Sequence, residues 1–246
     1  MAHLYFVDHQ QRLIAGERVE LVDAEARHAA KVARLRVGEQ ITLGDTRGVL
    51  ARAEATAVSA ESVALVVLDV THTDSWQPEL WLGQSLAKSG RDEQAIEQAV
   101  EVGVNRVIPL AADRCVVRWD SEKAERGVKR WQKIVTEASK QALQPRVASV
   151  VPPQSLSELI DASDQYQLIA LDHRAQFTLL DVALEGTPDS PPIVVLVGPE
   201  GGWSDDEFTR LEATGISLAR LGPGVLRTSS AGPIALALLH ARLQHW

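Results

Sequence analysis

Apolar and polar positions follow two different rhythms along this chain of 246 residues. Up to about residue 72 the apolar residues fall in short runs, "LYFV", "QITLGD", "GVLARAEATAV" and "SVALVVLDV", separated by Gly, Asp and Ser. Short β-branched runs bounded by turn residues predict strands. One helical stretch, about Ala24 to Leu35, interrupts them. The pattern predicts a small barrel or sandwich over residues 1–72. "THTDSWQP", Thr71 to Pro78, predicts a hinge into a second domain, residues 73–246.

From Glu79 the rhythm changes. Strand-like runs "ELWLGQSL", "RVIPLA", "YQLIALD", "PIVVLVG" and "SLARLG" alternate with helical stretches near Asp92–Val102, Glu122–Leu143, Leu156–Ala162, Ser204–Thr214 and Ser230–Gln244. This alternation predicts an α/β domain with a mainly parallel sheet covered by helices on both faces.

Two junctions in the second domain carry the chemistry. The apolar run Ile193–Val197 passes straight into "GPEGGW", and Ser204 with Glu207 three residues on forms a capping box that starts the next helix. The arrangement then repeats in "RLGPGVLRTSSAGP": a strand, a Gly-Pro-Gly loop, one arginine, a Thr/Ser cluster and a helix. Pro233 is tolerable only in that helix's first turn, which makes Ser230 the expected N-cap. Open α/β sheets bind ligands at the carboxyl ends of their strands, so the two loops together are the candidate site. A phosphate ligand fits poorly. The P-loop lysine and spacing are missing, the dinucleotide fingerprint is absent, and Glu200 puts negative charge where a phosphate would sit. A carboxylate among glycines suits a neutral or cationic ligand, or one with hydroxyl donors.

Composition changes this picture in three ways. One cysteine, Cys115, excludes an intramolecular disulfide framework, and the scattered histidines suggest no metal site. No apolar run reaches the length of a membrane span and "MAHLYFVDHQQRL" has no signal-peptide pattern, so a cytoplasmic protein with no membrane partner is expected. The formal net charge of −8 argues against general affinity for nucleic acid, but it is unevenly spread. Arg114 to Arg146 holds nine Lys/Arg against four Asp/Glu, and Arg27 to Arg52 six against two. Such local patches decide phosphate binding more than the total does, although charge alone favours reading them as solvated helix faces.

"LVGPEGGWSDDE" and "RLGPGVLRTSSA" resemble the two cofactor loops of the RsmE-type 16S rRNA (uracil-N3)-methyltransferases of the SPOUT superfamily. "RHAAKVARLRVGEQITLGDTRG" is similar to the signature of that family's N-terminal PUA-like β-barrel. "LAKSGRDEQAIEQAVEVGVNRVIPLAADRCVVRW" and "RWQKIVTEASKQALQPRVASVVP" are similar to the segments that open its catalytic domain. The resemblance implies a C-terminal SPOUT α/β domain tied in a deep trefoil knot, with S-adenosylmethionine (SAM) bound in the knot. It also implies a homodimer that methylates N3 of one uridine near the 3′ end of 16S rRNA in the assembled small ribosomal subunit.

On this resemblance Gly198, Pro199, Glu200, Gly201, Gly202, Gly222, Gly224 and Thr228 are expected at the cofactor, with Leu171, Leu221, Val225 and Leu226 around the adenine and His173 at its border. Arg227 is the expected catalytic residue, its guanidinium stabilising the anion that develops when N3 loses its proton. Expected RNA contacts are His28, Lys31, Arg34 and Arg36 in the barrel, and Arg114, Arg118, Lys129, Arg130 and Arg146 in the catalytic domain. The chain departs from the family pattern at Ser229 and Ser230, where an acidic motif is usual, and at Gln98, Val100 and Gln144. Two other readings stay open: a SPOUT enzyme acting on a ribose 2′-O or a tRNA base, and a non-catalytic RNA-binding assembly factor.

Overall fold

A computed structural model describes residues 4–187 and 189–246. They form two compact units: one runs up to Ser75 and includes Ser139–Val147, and the other comprises Trp76–Ala138 and Ala148–Trp246.

The first unit is a five-stranded mixed sheet. Its strands are β1 (Leu4–Phe6), β2 (Arg18–Val22), β3 (Gln40–Gly44), β4 (Val49–Val58) and β5 (Ser62–His72), in the order β1-β3-β4-β5-β2. Only β1 and β3 run parallel. Irregularities at Arg52/Ala53 and Ala55/Ala57 break the β4–β5 register. Bulges of this kind bend a sheet and increase its twist, here around a core that includes Tyr5, Leu21, Leu43, Ala53 and Leu65. Strand β2 was not among the expected runs, yet its Val19 and Leu21 alternate inward as a half-buried strand requires. The expected helix Ala24–Leu35 is in fact α1 (Asp23–Arg27) followed by a π-helical turn over His28–Val32, and it stops where Arg34 takes φ 56°. The expected hinge begins later than Thr71, because β5 continues through His72.

Arg146 belongs to this first unit and not with the catalytic cations. Its guanidinium donates to the Thr73 carbonyl at 2.9 Å, while Gly48 N donates to Pro145 O and Val147 N to Thr46 O, both at 3.0 Å. Gly48 sits at φ +113°, and a Cβ there would lie 2.6 Å from Arg146 Nη2.

The second unit is a parallel sheet flanked by helices. Its elements are β6 (Leu80–Ser85), α2 (Arg91–Glu101), β7 (Arg106–Ala111), α3 (Ser121–Gln141), β8 (Ser149–Val150), β9 (Gln154–Ser155) and α4 (Leu156–Asp161). They continue as β10 (Gln167–Leu171), β11 (Ile193–Val197), α5 (Asp205–Ala213), β12 (Ser217–Ala219) and α6 (Thr228–Arg242). The last residues of α3 fall in the first unit. The strand order is β12-β10-β11-β6-β7-β8, with β9 also paired to β7. Every residue of β6 and β11 is buried, which explains the uninterrupted apolar run of β11, while β6 ends in the buried polar pair Gln84 and Ser85. The chain goes from β6 to one side for β7 and to the other for β10, β11 and β12, so β6 and β11 meet at a topological switch point.

From β12, at the sheet edge, the chain returns as α6 to pack on β6, β11 and α2. Gly232 permits this approach, since a Cβ there would lie 2.8 Å from Leu82. The loop 172–192 between β10 and β11 accepts from Arg220 N and from both Arg242 guanidinium nitrogens, the latter at 2.8 and 2.9 Å. It is therefore bonded both to the chain leaving β12 and to the far end of α6, the return path on which the implied knot depends. Helix α6 starts two residues before the expected N-cap Ser230: Arg227 is the N-cap, and Pro233 lies inside the helix rather than in its first turn. Burial of Thr228, Ser229 and Ala231 against the sheet pulls the helix start forward, so Pro233, which has no N–H to donate, falls within the helix.

Among the described residues no helix is long and apolar enough to cross a membrane, and no three His, Cys, Asp or Glu side chains are grouped as a metal ion would need.

Candidate active site

Three chain segments converge at the carboxyl ends of β10, β11 and β12. The first is the glycine loop after β11. It turns tightly at Gly202, whose φ is 68° and whose N–H donates to Pro199 O at 2.8 Å. A side chain at this φ would be strained, hence the glycine. The loop ends at α5 in the capping box read from the sequence. Glu207 N donates to Ser204 Oγ at 3.0 Å and Ser204 N to Glu207 Oε2 at 2.8 Å. The second oxygen of Glu207, which is buried, accepts from Asp113 N at 2.9 Å. Trp203 is 1% exposed, donates to Leu171 O at 3.0 Å, and packs where a Cβ on Gly198 would meet its ring at 3.2 Å.

Arg114 clamps the same loop. Its Nη1 donates to the carbonyls of Gly201 at 3.1 Å and Trp203 at 3.0 Å, and Nη2 lies 3.7 Å from Asp205. Expected at RNA, this guanidinium is occupied in holding the glycine loop. Glu200 accepts from Lys88 N at 3.4 Å and lies 3.5 Å from the Arg91 guanidinium, so its charge is partly balanced.

The second segment is the end of β10. Asp172 is buried and accepts from Arg174 N, Nε and Nη2 at 2.8, 2.9 and 2.9 Å. Burial pushes its carboxyl up, but the hydrogen bonds and charge of Arg174 outweigh it and hold Asp172 below the usual carboxylate range. Arg174 in turn stacks 3.9 Å over the Phe208 ring. His173 points Nδ1 at Asp172 from 3.6 Å and is mostly exposed.

The third segment is the loop 220–227. Among the described residues, the amides of Gly222, Gly224, Val225 and Leu226 make no hydrogen bond within the chain. Thr228, the first residue of α6, donates Oγ1 to Gly198 O at 3.2 Å and accepts from Gln84 Nε2 at 2.9 Å, which ties the two loops and β6 together. Arg227 is exposed, and its guanidinium has no partner among the described residues.

These segments enclose one cavity of about 460 Å³. Leu171, His173, Gly198, Pro199, Glu200, Gly201, Gly202, Leu221, Gly224, Val225, Leu226, Arg227 and Thr228 all line it. Gly222 does not line it, and has open space where a Cβ would be. Arg91, Asp172, Trp203 and Arg220 also line it and escaped the sequence reading. Asp172 left one usable signal, a polar residue directly at the carboxyl end of a predicted strand. The expected RNA residues are dispersed. His28, Lys31, Arg34 and Arg36 are exposed on the π-helical turn of the first unit and the loop that follows, with the His28 ring 5.6 Å from Tyr5. In the second unit Arg118 donates to Asp113 O at 3.1 Å, Arg130 pairs with Glu93 at 2.5 Å and Lys129 is exposed.

Comparison with known proteins gives a consistent answer. An RNA methyltransferase domain model matches residues 75–240, and an RNA methyltransferase PUA domain model matches residues 21–68. Ribosomal RNA small subunit methyltransferase E of Mycobacterium bovis is 33% identical over 252 aligned positions, covering 100% of this chain and 94% of the relative. The Bacillus subtilis protein of the same name is 27% identical, covering 96% of this chain and 94% of the relative. The crystal structure of ribosomal RNA small subunit methyltransferase E from Neisseria gonorrhoeae bound to S-adenosyl methionine superposes with a TM-score of 0.86 at 29% identity, covering 98% of both chains.

Proposed function

Because the chain belongs to the ribosomal RNA small subunit methyltransferase E family, and is thereby a SAM-dependent rRNA methyltransferase, we propose that its target is N3 of one uridine near the 3′ end of 16S rRNA. We further propose that it acts as a homodimer on the assembled small subunit. One observation carries this reading: two glycine loops meet at the carboxyl ends of β10, β11 and β12 around a single cavity, with an arginine on the same wall that has no partner among the described residues.

The residues present fit SAM. A cavity of about 460 Å³ suits a ligand of that size. The free amides of Gly224, Val225 and Leu226 offer donors to an adenine and ribose, and Leu171, Leu221, Val225 and Leu226 an apolar surface. Asp172 and Glu200 put two carboxylates on the wall that can face a cationic ligand, beside the guanidinium groups of Arg91, Arg220 and Arg227. SAM supplies, when bound, a methyl group activated by a sulfonium cation.

The chain's own residues then position the uracil and stabilise its anion, while the N3 proton passes to solvent water. Arg227 extends its guanidinium to a uracil carbonyl and stabilises the negative charge that appears on the ring as N3 gives up its proton. No carboxylate follows it in the chain, where Thr228, Ser229 and Ser230 stand. Orientation within the cavity contributes much of the rate, since placement alone can be worth roughly 7–11 kcal/mol.

The test is primer extension across the 3′ region of 16S rRNA. Small subunits lacking the modification are incubated with the protein, with and without SAM. A methyl on N3 blocks the pairing edge, so one SAM-dependent stop beside a uridine is expected. If no stop forms while SAM still stabilises the protein, the target is another RNA, a ribose 2′-O or a tRNA base. Neither a stop nor stabilisation would leave the assembly-factor reading.

A further inference from the structure

A second cavity, of about 630 Å³, is walled by the N-terminal part of α2, the residues before α3 and the first turns of α3 itself. Arg118, Lys123, Arg126 and Arg130 line it. The last three are spaced so that they share one face of the helix. Two carboxylates also line it, and both are committed. Asp92 is buried and accepts from Ala87 N at 3.2 Å and Glu93 N at 2.9 Å, and Glu93 is paired with Arg130.

Lys123 and Arg126 are different. Their partners, Asp120 at 3.0 Å and Glu122 at 3.5 Å, are at least as exposed as they are, every side chain being more than half open to solvent. Exposed pairs of this kind contribute little, so another anion can take the carboxylate's place. An indole completes the wall: Trp119 lies T-shaped on the buried Trp131 at 5.1 Å and fits against α3 because Gly127 has no Cβ. The groove also adjoins the methyl-transfer site through shared loops. Arg91 lines the first cavity and Gly90 and Asp92 the second. Arg114 clamps the glycine loop, and Arg118 four residues on faces the groove.

We propose that this groove binds the sugar–phosphate backbone of an unpaired rRNA stretch flanking the methylated base, with Lys123 and Arg126 each neutralising a phosphate. The inference rests on the rRNA methyltransferase reading and assigns that enzyme a substrate-positioning surface outside its cofactor cavity.

The full-length protein carrying Lys123→Gln and Arg126→Gln together is compared with wild type on small ribosomal subunits that lack the modification. SAM affinity, read by calorimetry, is expected to stay unchanged. The KM for subunits is expected to rise about tenfold, and the slope of log K against log salt to become shallower by about 1.4, since each single-strand phosphate contributes about 0.7. A charge-matched control, Arg12→Gln with Lys133→Gln, is expected to move neither. If the groove variant keeps the wild-type slope and KM, or the control shifts as far, the groove is not an RNA site and the activity stands. If the wild-type chain itself neither binds nor methylates RNA, the proposed function and this inference fall together.

Discussion

Thr228 is where the buried sheet meets the cavity wall, and its hydroxyl is fully used. It donates to the carbonyl that opens the glycine loop and accepts from Gln84, a fully buried amide whose Oε1 has no partner among the described residues. Thr228→Val would leave a second polar atom of Gln84 poorly satisfied and strip Gly198 O of its donor. We expect a loss of about 1–3 kcal/mol in urea unfolding and a smaller rise in Tm on adding SAM. Arg227 gives the opposite signature. It is exposed and holds nothing in place, so Arg227→Ala should leave stability within about 0.5 kcal/mol of wild type. Single-turnover methylation should nevertheless fall about 10²–10³-fold at unchanged SAM affinity. Both residues were legible as part of a Gly-Pro-Gly, Arg, Thr/Ser motif. The partner of Thr228 was not, because Gln84 lies 144 residues away in the chain and nothing local marks it.

At the scale of the element, α3 shows how context reverses a propensity. Glycine inside a helix costs about 0.5–1 kcal/mol relative to alanine, so Gly127→Ala ought to stabilise. Here the new Cβ would lie 2.4–2.6 Å from three carbons of the rigid Trp119 ring. Overpacking of this kind costs about 1–3 kcal/mol and outweighs the gain. A lower Tm and red-shifted tryptophan fluorescence are expected. If Tm rises, the indole moves aside without cost. Element boundaries were read well where local chemistry sets them. The Ser204–Glu207 box starts α5 where the sequence puts it, and Arg106–Ala111 is strand β7 from end to end. They were misread where packing decides. Helix α6 begins at Thr228 because its first turn is buried, and the π-helical turn at His28–Val32 has no propensity signal of its own.

For the molecule as a whole, the alternation of strands and helices made the parallel sheet legible. The strand order could not be read this way, because β10, β11 and β12 are placed by contacts far apart in sequence. One global property follows from a histidine pair at the end of α6, His240 buried in the helix and His245 half-buried just beyond it. His245 Nε2 lies 3.0 Å from the Gln77 carbonyl, and its Nδ1 lies 2.9 Å from His240 Nδ1. The His240 ring is fully buried. Burial, and secondarily the charge His245 can carry, pull His240 from the ordinary 6.5 down to about 4. The unfolded chain takes up this proton first, so the associated stability is complete above about pH 6.5 and drains away as pH falls toward 4. Urea unfolding should show a loss approaching about 3 kcal/mol across that window. A flat profile between pH 7 and 5 would remove His240 from the account. The bond between Gln84 and Thr228 also has a consequence in time. During synthesis β6 emerges long before α6, and the cavity has no wall on that side until α6 is made and has doubled back onto the sheet. SAM therefore cannot guide the early folding of this chain; it can only hold a fold that has already closed, and an rRNA has no enzyme to meet until then.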